Sequence, residues 1–84
     1  NHQDFAAGYL IDKCGLKGTR CGGAEISPKH ANFIVNHGSA TSGDVVELIR
    51  IAQREVQRQF DIKLDLEIEL LGFKDEIMKE LHYD

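Results

Sequence analysis

Between Thr41 and Phe60 one apolar stripe recurs at helical spacing: Val45, Leu48, Ile49, Ala52, Val56 and Phe60. A stripe of about five turns commits the chain to a long helix with one face buried. Thr41 or Ser42 can cap its start, and Asp44 falls in the first turn, where a carboxylate favours the helix dipole. The other side carries Glu47, Arg50, Gln53, Arg54, Gln57 and Arg58. It reads as a solvated face braced by pairs such as Glu47 with Arg50, or as a basic surface for an acidic partner. A helix with one apolar face needs a second layer to cover it.

The rest of the chain supplies that layer. Leu64, Leu66, Ile68 and Leu70 alternate with Asp65, Glu67 and Glu69, which predicts a strand with one apolar and one acidic face, ended by Gly72. Asn32 to Asn36 predicts a second strand, buried on both faces, and Ala24 to Ser27 a third, broken by Pro28. Ahead of these, Ala7, Leu10, Ile11 and Cys14 give one face to a short helix from about Phe5 to Cys14. Gly15 then stands at the left-handed position of a Schellman end, with Leu16 folding back. The tail after Phe73 is polar, with Ile77, Met78 and Leu81 at the spacing of a short, frayed helix. These elements predict an α+β fold, a small mixed sheet of a few strands packed against one long helix and one or two short ones. The 84 residues are expected to form a single domain, 1–84, with its core at about 5–73 and a polar tail at 74–84.

Several function classes recede on composition. A net charge of −4 argues against general affinity for nucleic acid or an anionic membrane, although Lys17 and Arg20 can make a local positive spot. No apolar run approaches a membrane span, and the amino end lacks a signal-peptide pattern, so the expected location is cytoplasmic. Cys14 and Cys21 do not have zinc spacing, and His2, His30, His37 and His82 are scattered, so no metal site is expected. The chain starts at Asn1 without an initiator methionine and reads as a piece of something longer.

Two stretches carry candidate chemistry. Gly15, Gly18, Gly22 and Gly23 let the backbone turn tightly or approach a ligand, with Lys17 and Arg20 between them. Backbone N–H groups and two cations can thus converge on one anion, or the stretch is a flexible helix-to-strand connection. It is neither a Walker loop nor a dinucleotide fingerprint. On the acidic strand face, Glu67 is flanked by Asp65 and Glu69. That pattern suits a carboxyl kept protonated by its neighbours, or an edge strand whose charges discourage aggregation.

These stretches also carry a resemblance. Phe5 to Asp12, Gly15-Leu16-Lys17-Gly18, Gly22 to Ser27, Lys29 to Asn36, Ala40 to Val45, and Leu64 to Ile68 with Gly72 stand in order. Together they resemble the carboxy-terminal, substrate-binding domain of the UDP-N-acetylenolpyruvoylglucosamine reductase family, over nearly the whole chain up to Phe73. The resemblance places the family's active-site glutamate, in its Leu-Glu-x-Glu-Val strand, on Glu67, with Asp65 and Leu66 where the family often has Glu and Pro. It places the lysine of Leu-Lys-Gly, which contacts the nucleotide part of the substrate, on Lys17 beside Gly18. The polar residue before the second strand, also near the nucleotide, falls on His30. Cys21 replaces a usual aliphatic residue and is expected to pack.

The resemblance implies an oxidoreductase of peptidoglycan synthesis. NADPH reduces FAD, hydride passes to the enolpyruvyl C3 of UDP-N-acetylglucosamine enolpyruvate, and a serine protonates C2 to give UDP-N-acetylmuramate. FAD in that family is held by an amino-terminal domain, and the serine precedes the segment matched here. The expected partners are therefore the UDP-sugar and that missing flavin-binding part. No FAD or NADPH is expected on this chain alone, which is expected to be inactive by itself. The alternative is a stand-alone phosphate-binding or interaction module without chemistry.

Overall fold

In a computed structural model of the chain, the structure describes residues 7–64 and 69–81. The elements run α1 (Ala7–Lys13), β1 (Arg20–Cys21), β2 (Ala24–Ile26), β3 (Phe33–Asn36), α2 (Ser42–Phe60), β4 (Glu69–Leu71) and α3 (Asp75–Glu80). The sheet order is β1-β2-β3-β4. Its first three strands are antiparallel, and β4 lies parallel to β3 with Ile34 opposite Leu70. The fold is the expected mixed α+β layer.

α1 ends as its sequence predicts. Gly15 takes φ +74°, the Leu16 N–H donates to Ile11 O at 3.3 Å, and the Gly15 N–H donates to Asp12 O at 2.9 Å. This is the paired bonding of a Schellman motif, and it turns the chain back so that Leu16 packs on the core.

α2 begins at a capping box. Thr41 accepts the Asp44 N–H, and the Asp44 side chain accepts the Thr41 N–H. Val45, Leu48, Ile49, Ala52 and Val56 are buried along its stripe, and they meet Ile26, Ile34 and Ala24 of the sheet in one core. Phe60, the last member of the expected stripe, is exposed because the helix runs past the layer it covers. On the outer face Arg50 pairs with Glu47 at 3.3 Å and Arg58 with Glu55 at 2.7 Å. These pairs occupy two of the cations that suggested a basic surface.

β1 was not expected. Arg20 and Cys21 pair with Glu25 and Ala24, and Gly22-Gly23 forms the two-residue turn of a hairpin. Gly22 has φ +55°, the left-handed backbone that a type II′ connection requires at its first central residue. The stretch after α1 is thus hairpin and turn rather than a loose connection. At the other edge, β4 begins at Glu69 and ends at Leu71, with Gly72 after it. Residues 65–68 of the expected strand, including Glu67, lie outside the described residues.

Candidate functional site

Lys17 sits in a four-residue turn. The Thr19 N–H donates to Leu16 O at 3.0 Å, and Gly18 has φ +84°, which a type II turn demands at its third residue. Lys17 therefore occupies the tip. Gly18 then donates its N–H to Ile26 O at 2.8 Å, and Ile26 donates back to Thr19 O at 2.9 Å. That pair of bonds clips the Lys17 turn to the end of β2, next to Ser27.

The chain after Ser27 is held just as locally. The buried Ser27 hydroxyl accepts the N–H groups of both Lys29 and His30, each at 3.1 Å, and Phe33 O accepts the Ser27 N–H at 2.9 Å. The hydroxyl replaces backbone partners in this turn. His30 stacks edge-on against Phe33, with ring centroids 5.8 Å apart. α1 closes the third side. A Cβ on Gly8 would stand 3.3 Å from Asn32 Cβ, so the glycine lets the helix approach that turn.

A cleft of about 360 Å³ results. Tyr9 and Asp12 of α1 line it together with Lys17, Lys29, His30 and Asn32. Lys17 Nζ lies 3.5 Å from Asp12 Oδ2, both partly exposed. Lys17 and His30, singled out separately in the sequence, thus share one concave site rich in nitrogen donors. Gly18 does not line it. Its N–H is committed to Ile26, so its part is to position the Lys17 turn. Sequence reasoning missed Lys29, Tyr9 and Asp12 at this site. The signal for Lys29 was its place beside His30 in the turn after Pro28.

The other half of the glycine-rich stretch does something different. Arg20 does not converge with Lys17: it pairs with Glu25 at 3.6 Å, where His37 also meets the same carboxylate. The glycine donors are taken as well, Gly15 by Asp12 O, Gly18 by Ile26 O and Gly23 by the Asp44 carboxylate at 3.3 Å. A Cβ on Gly22 would run into that carboxylate, and one on Gly23 would stand 2.6 Å from Ala40 N. The hairpin tip is bare so that it can seat on the first turn of α2. The N–H groups of Gly15, Gly18 and Gly23 thus bond within the fold and do not converge on one point.

Electrostatics agree with this division. The Thr41 N–H holds the Asp44 carboxyl below the ordinary carboxylate range, aided by Gly23 and outweighing partial burial. Cys21 is free, packs on the core and points its thiol toward Asp44, as the expected packing role requires. Burial raises its pKa, and Asp44 and Glu47 add to the effect; Cys14 is raised by burial and by Glu55. Neither thiol is therefore activated as a nucleophile. Among the described residues no group of three His, Cys, Asp or Glu side chains is placed to hold a metal, and no helix is long and apolar enough to cross a membrane.

Comparison with known proteins settles the family. The model of the UDP-N-acetylenolpyruvoylglucosamine reductase C-terminal domain matches residues 1–71. The chain belongs to that family. It is 58% identical over 73 residues to UDP-N-acetylenolpyruvoylglucosamine reductase of Chloroherpeton thalassium, covering 87% of this chain and 24% of that one. It is 53% identical over 72 residues to the Moorella thermoacetica reductase, covering 86% and 24%. A crystal structure of the Thermus caldophilus reductase matches with a TM-score of 0.60 at 49% identity, over 80% of this chain and 23% of that one. The chain spans about a quarter of the length of these relatives.

Two expectations follow for the hairpin seat. Gly23→Ala lowers stability in urea unfolding by about 1–3 kcal/mol, the range for forcing extra volume into a packed place. Gly43→Ala, at a helical position where the nearest atom to a new Cβ is Thr41 Oγ1 at 3.6 Å, leaves stability unchanged or slightly higher. Equal losses at both positions would show that Gly23 has no special contact.

The Asp44 seat also predicts acid sensitivity. A carboxyl whose pKa is lower in the folded than in the unfolded chain stabilises fully above its ordinary pKa, and that stabilisation is lost as pH falls through the folded value. Between neutral pH and the acid transition, Asp44→Asn should flatten the fall in melting temperature relative to the unsubstituted chain. An unchanged slope would assign the acid sensitivity to other carboxylates.

Proposed function

We propose that this chain is the substrate-binding part of a UDP-N-acetylenolpyruvoylglucosamine reductase. On this reading its cleft holds the nucleotide diphosphate of UDP-N-acetylglucosamine enolpyruvate, and Glu67 serves the reduction that yields UDP-N-acetylmuramate for peptidoglycan synthesis. The observation that carries it is the meeting of Lys17 and His30 in one cleft, although they lie on different turns. Each is the position at which the family resemblance expects a nucleotide contact. A stand-alone module is the weaker reading, since the relatives described above are all named as the reductase.

The labour divides accordingly. FAD and NADPH belong, as the family resemblance implies, to the amino-terminal flavin-binding part of such a reductase, a cytoplasmic enzyme. This chain's own task is to bind and orient. Lys17 and His30 anchor the nucleotide end and so bring the enolpyruvyl end to a fixed place, which converts an encounter into a positioned reaction. Glu67, two residues before Glu69 in an alternating strand sequence, meets the enolpyruvyl carboxylate as negative charge develops there. A carboxyl donates to that charge only while protonated, a state that burial beneath flavin and substrate would favour.

Titration of the chain with UDP, followed by amide NMR, should move signals at 16–18 and 27–32. Lys17→Ala should weaken binding by about 1.5–3 kcal/mol, the range for a hydrogen bond to a charged group. Perturbations confined to α2 would place the anion elsewhere.

The glutamate is tested in the whole reductase. Glu67→Gln should cut turnover by about 10²–10⁴-fold while NADPH still reduces the flavin, as expected for a contact made chiefly in the transition state. Asp65→Asn and Glu69→Gln should be mild. A Glu67 defect under roughly tenfold rejects the assignment, and equal defects at all three positions indicate a diffuse acidic face.

A further inference from the structure

Of the cleft's two lysines, only Lys17 has a carboxylate partner among the described residues. Lys17 Nζ stands 3.5 Å from Asp12 Oδ2, so part of its charge is already answered by a carboxylate lining the same cleft. That pair is largely solvated, with side-chain exposures of 35% and 54%. It is worth little to stability, but its sum is what an incoming anion meets. Lys29 lines the same cleft, and among the described residues no carboxylate pairs with its ammonium.

The backbone beneath Lys29 is not loose. Its N–H is fixed to the buried Ser27 hydroxyl at 3.1 Å, and the next residue's N–H is fixed to the same oxygen. Pro28 restrains the residue before it. Lys29 therefore presents a long, uncompensated cation from a fixed root, whereas Lys17 presents a partly compensated one from the tip of a turn. A doubly anionic diphosphate needs more positive charge than the Lys17–Asp12 pair supplies.

We infer that Lys29 is the second phosphate-binding cation of the cleft and adds to Lys17 the positive charge that a nucleoside diphosphate requires. The inference rests on the reading of the cleft as a nucleotide site and extends it to a residue that this reading does not require. Lys29 and Lys17 line the same cleft from two different turns. His30 offers a ring N–H to the same cleft. Asp12 sets the balance by restraining Lys17.

The test compares UDP, uridine and inorganic phosphate on the full chain by amide NMR, with Lys29→Gln, Lys29→Arg and Lys17→Gln beside it. Lys29→Gln should raise the Kd for UDP by about tenfold or more, the scale of one lost charge-assisted contact. Lys29→Arg should restore it to within about threefold, because guanidinium also binds phosphate. The Kd for uridine should not respond to either change, since uridine carries no phosphate. If Lys29→Gln stays within about twofold while Lys17→Gln loses UDP, the inference is overturned and the cleft remains a nucleotide site. If UDP perturbs no residue of the cleft in the unsubstituted chain, the nucleotide reading fails and the inference falls with it. Unfolding of Lys29→Gln is excluded by an amide spectrum that superimposes outside 27–32.

Discussion

The Asp44 carboxylate joins the two layers of this fold. One of its oxygens accepts the Thr41 N–H that starts α2 and the Gly23 N–H from the hairpin tip. A single side chain therefore caps the long helix and anchors the edge of the sheet against it. The helix supplies most of the core, and the hairpin carries the chain from α1 into β2. Without this joint the apolar contact between helix and sheet would still be favourable, but hydrophobic contact is non-directional. The hydrogen bonds at Asp44 choose one seating among many. The bare backbone of Gly22-Gly23 permits it, since either Cβ would occupy the space of Asp44 or Ala40.

From that joint the cleft is only two turns away. Seating the hairpin sets β2, and the end of β2 holds both turns that carry the cations. Ile26 accepts the Gly18 N–H beneath Lys17, and the next residue, Ser27, accepts the N–H groups of Lys29 and His30. The site thus depends on backbone bonding at two adjacent residues rather than on packing of the charged side chains themselves. That is a sound way to hold lysines, because their long stems are costly to order by side-chain contacts alone. Asn36 ties the far end in a similar manner. Its amide oxygen accepts the Gly38 and Ala40 N–H groups, and its nitrogen donates to Gly72 O, so the exits of β3 and β4 are fastened together.

Much of this was legible in the residues. The α2 stripe has enough turns for its period to stand above chance, and the Thr41–Asp44 spacing marks its start. Gly15 followed by Leu16 announced the end of α1, because only a glycine tolerates that backbone cheaply. The hairpin was not legible. A two-residue strand such as Arg20–Cys21 has no period to read. A glycine pair reports that something comes close without saying whether it is a ligand or the chain itself, and the partner Asp44 lies far along the sequence. The same ambiguity joined Arg20 to Lys17, though the strand sends Arg20 to Glu25. The family resemblance singled out Lys17 and His30, but their meeting in one cleft could not be read, since it depends on Gly18 bonding to Ile26. Glu67 rests on the sequence, as residues 65–68 lie outside the described ones.

An acidic chain proposed to hold an anion looks contradictory until distance is considered. The net charge is −4, yet the molecule measures 32 × 23 × 19 Å, while charges in water at physiological ionic strength are screened over about 8 Å. Carboxylates on the far side are therefore almost silent at the cleft. Arg50 and Arg58 of α2 are each paired with a glutamate on their own helix. What an anion meets is the local sum of Lys17, Lys29, His30 and Asp12. Confining positive charge to that cleft, and balancing it elsewhere, gives attraction at one place without making the whole surface sticky for polyanions. On the proposed reading, in which the ligand is a small nucleotide sugar, such confinement would separate that substrate from the far larger pool of nucleic acid.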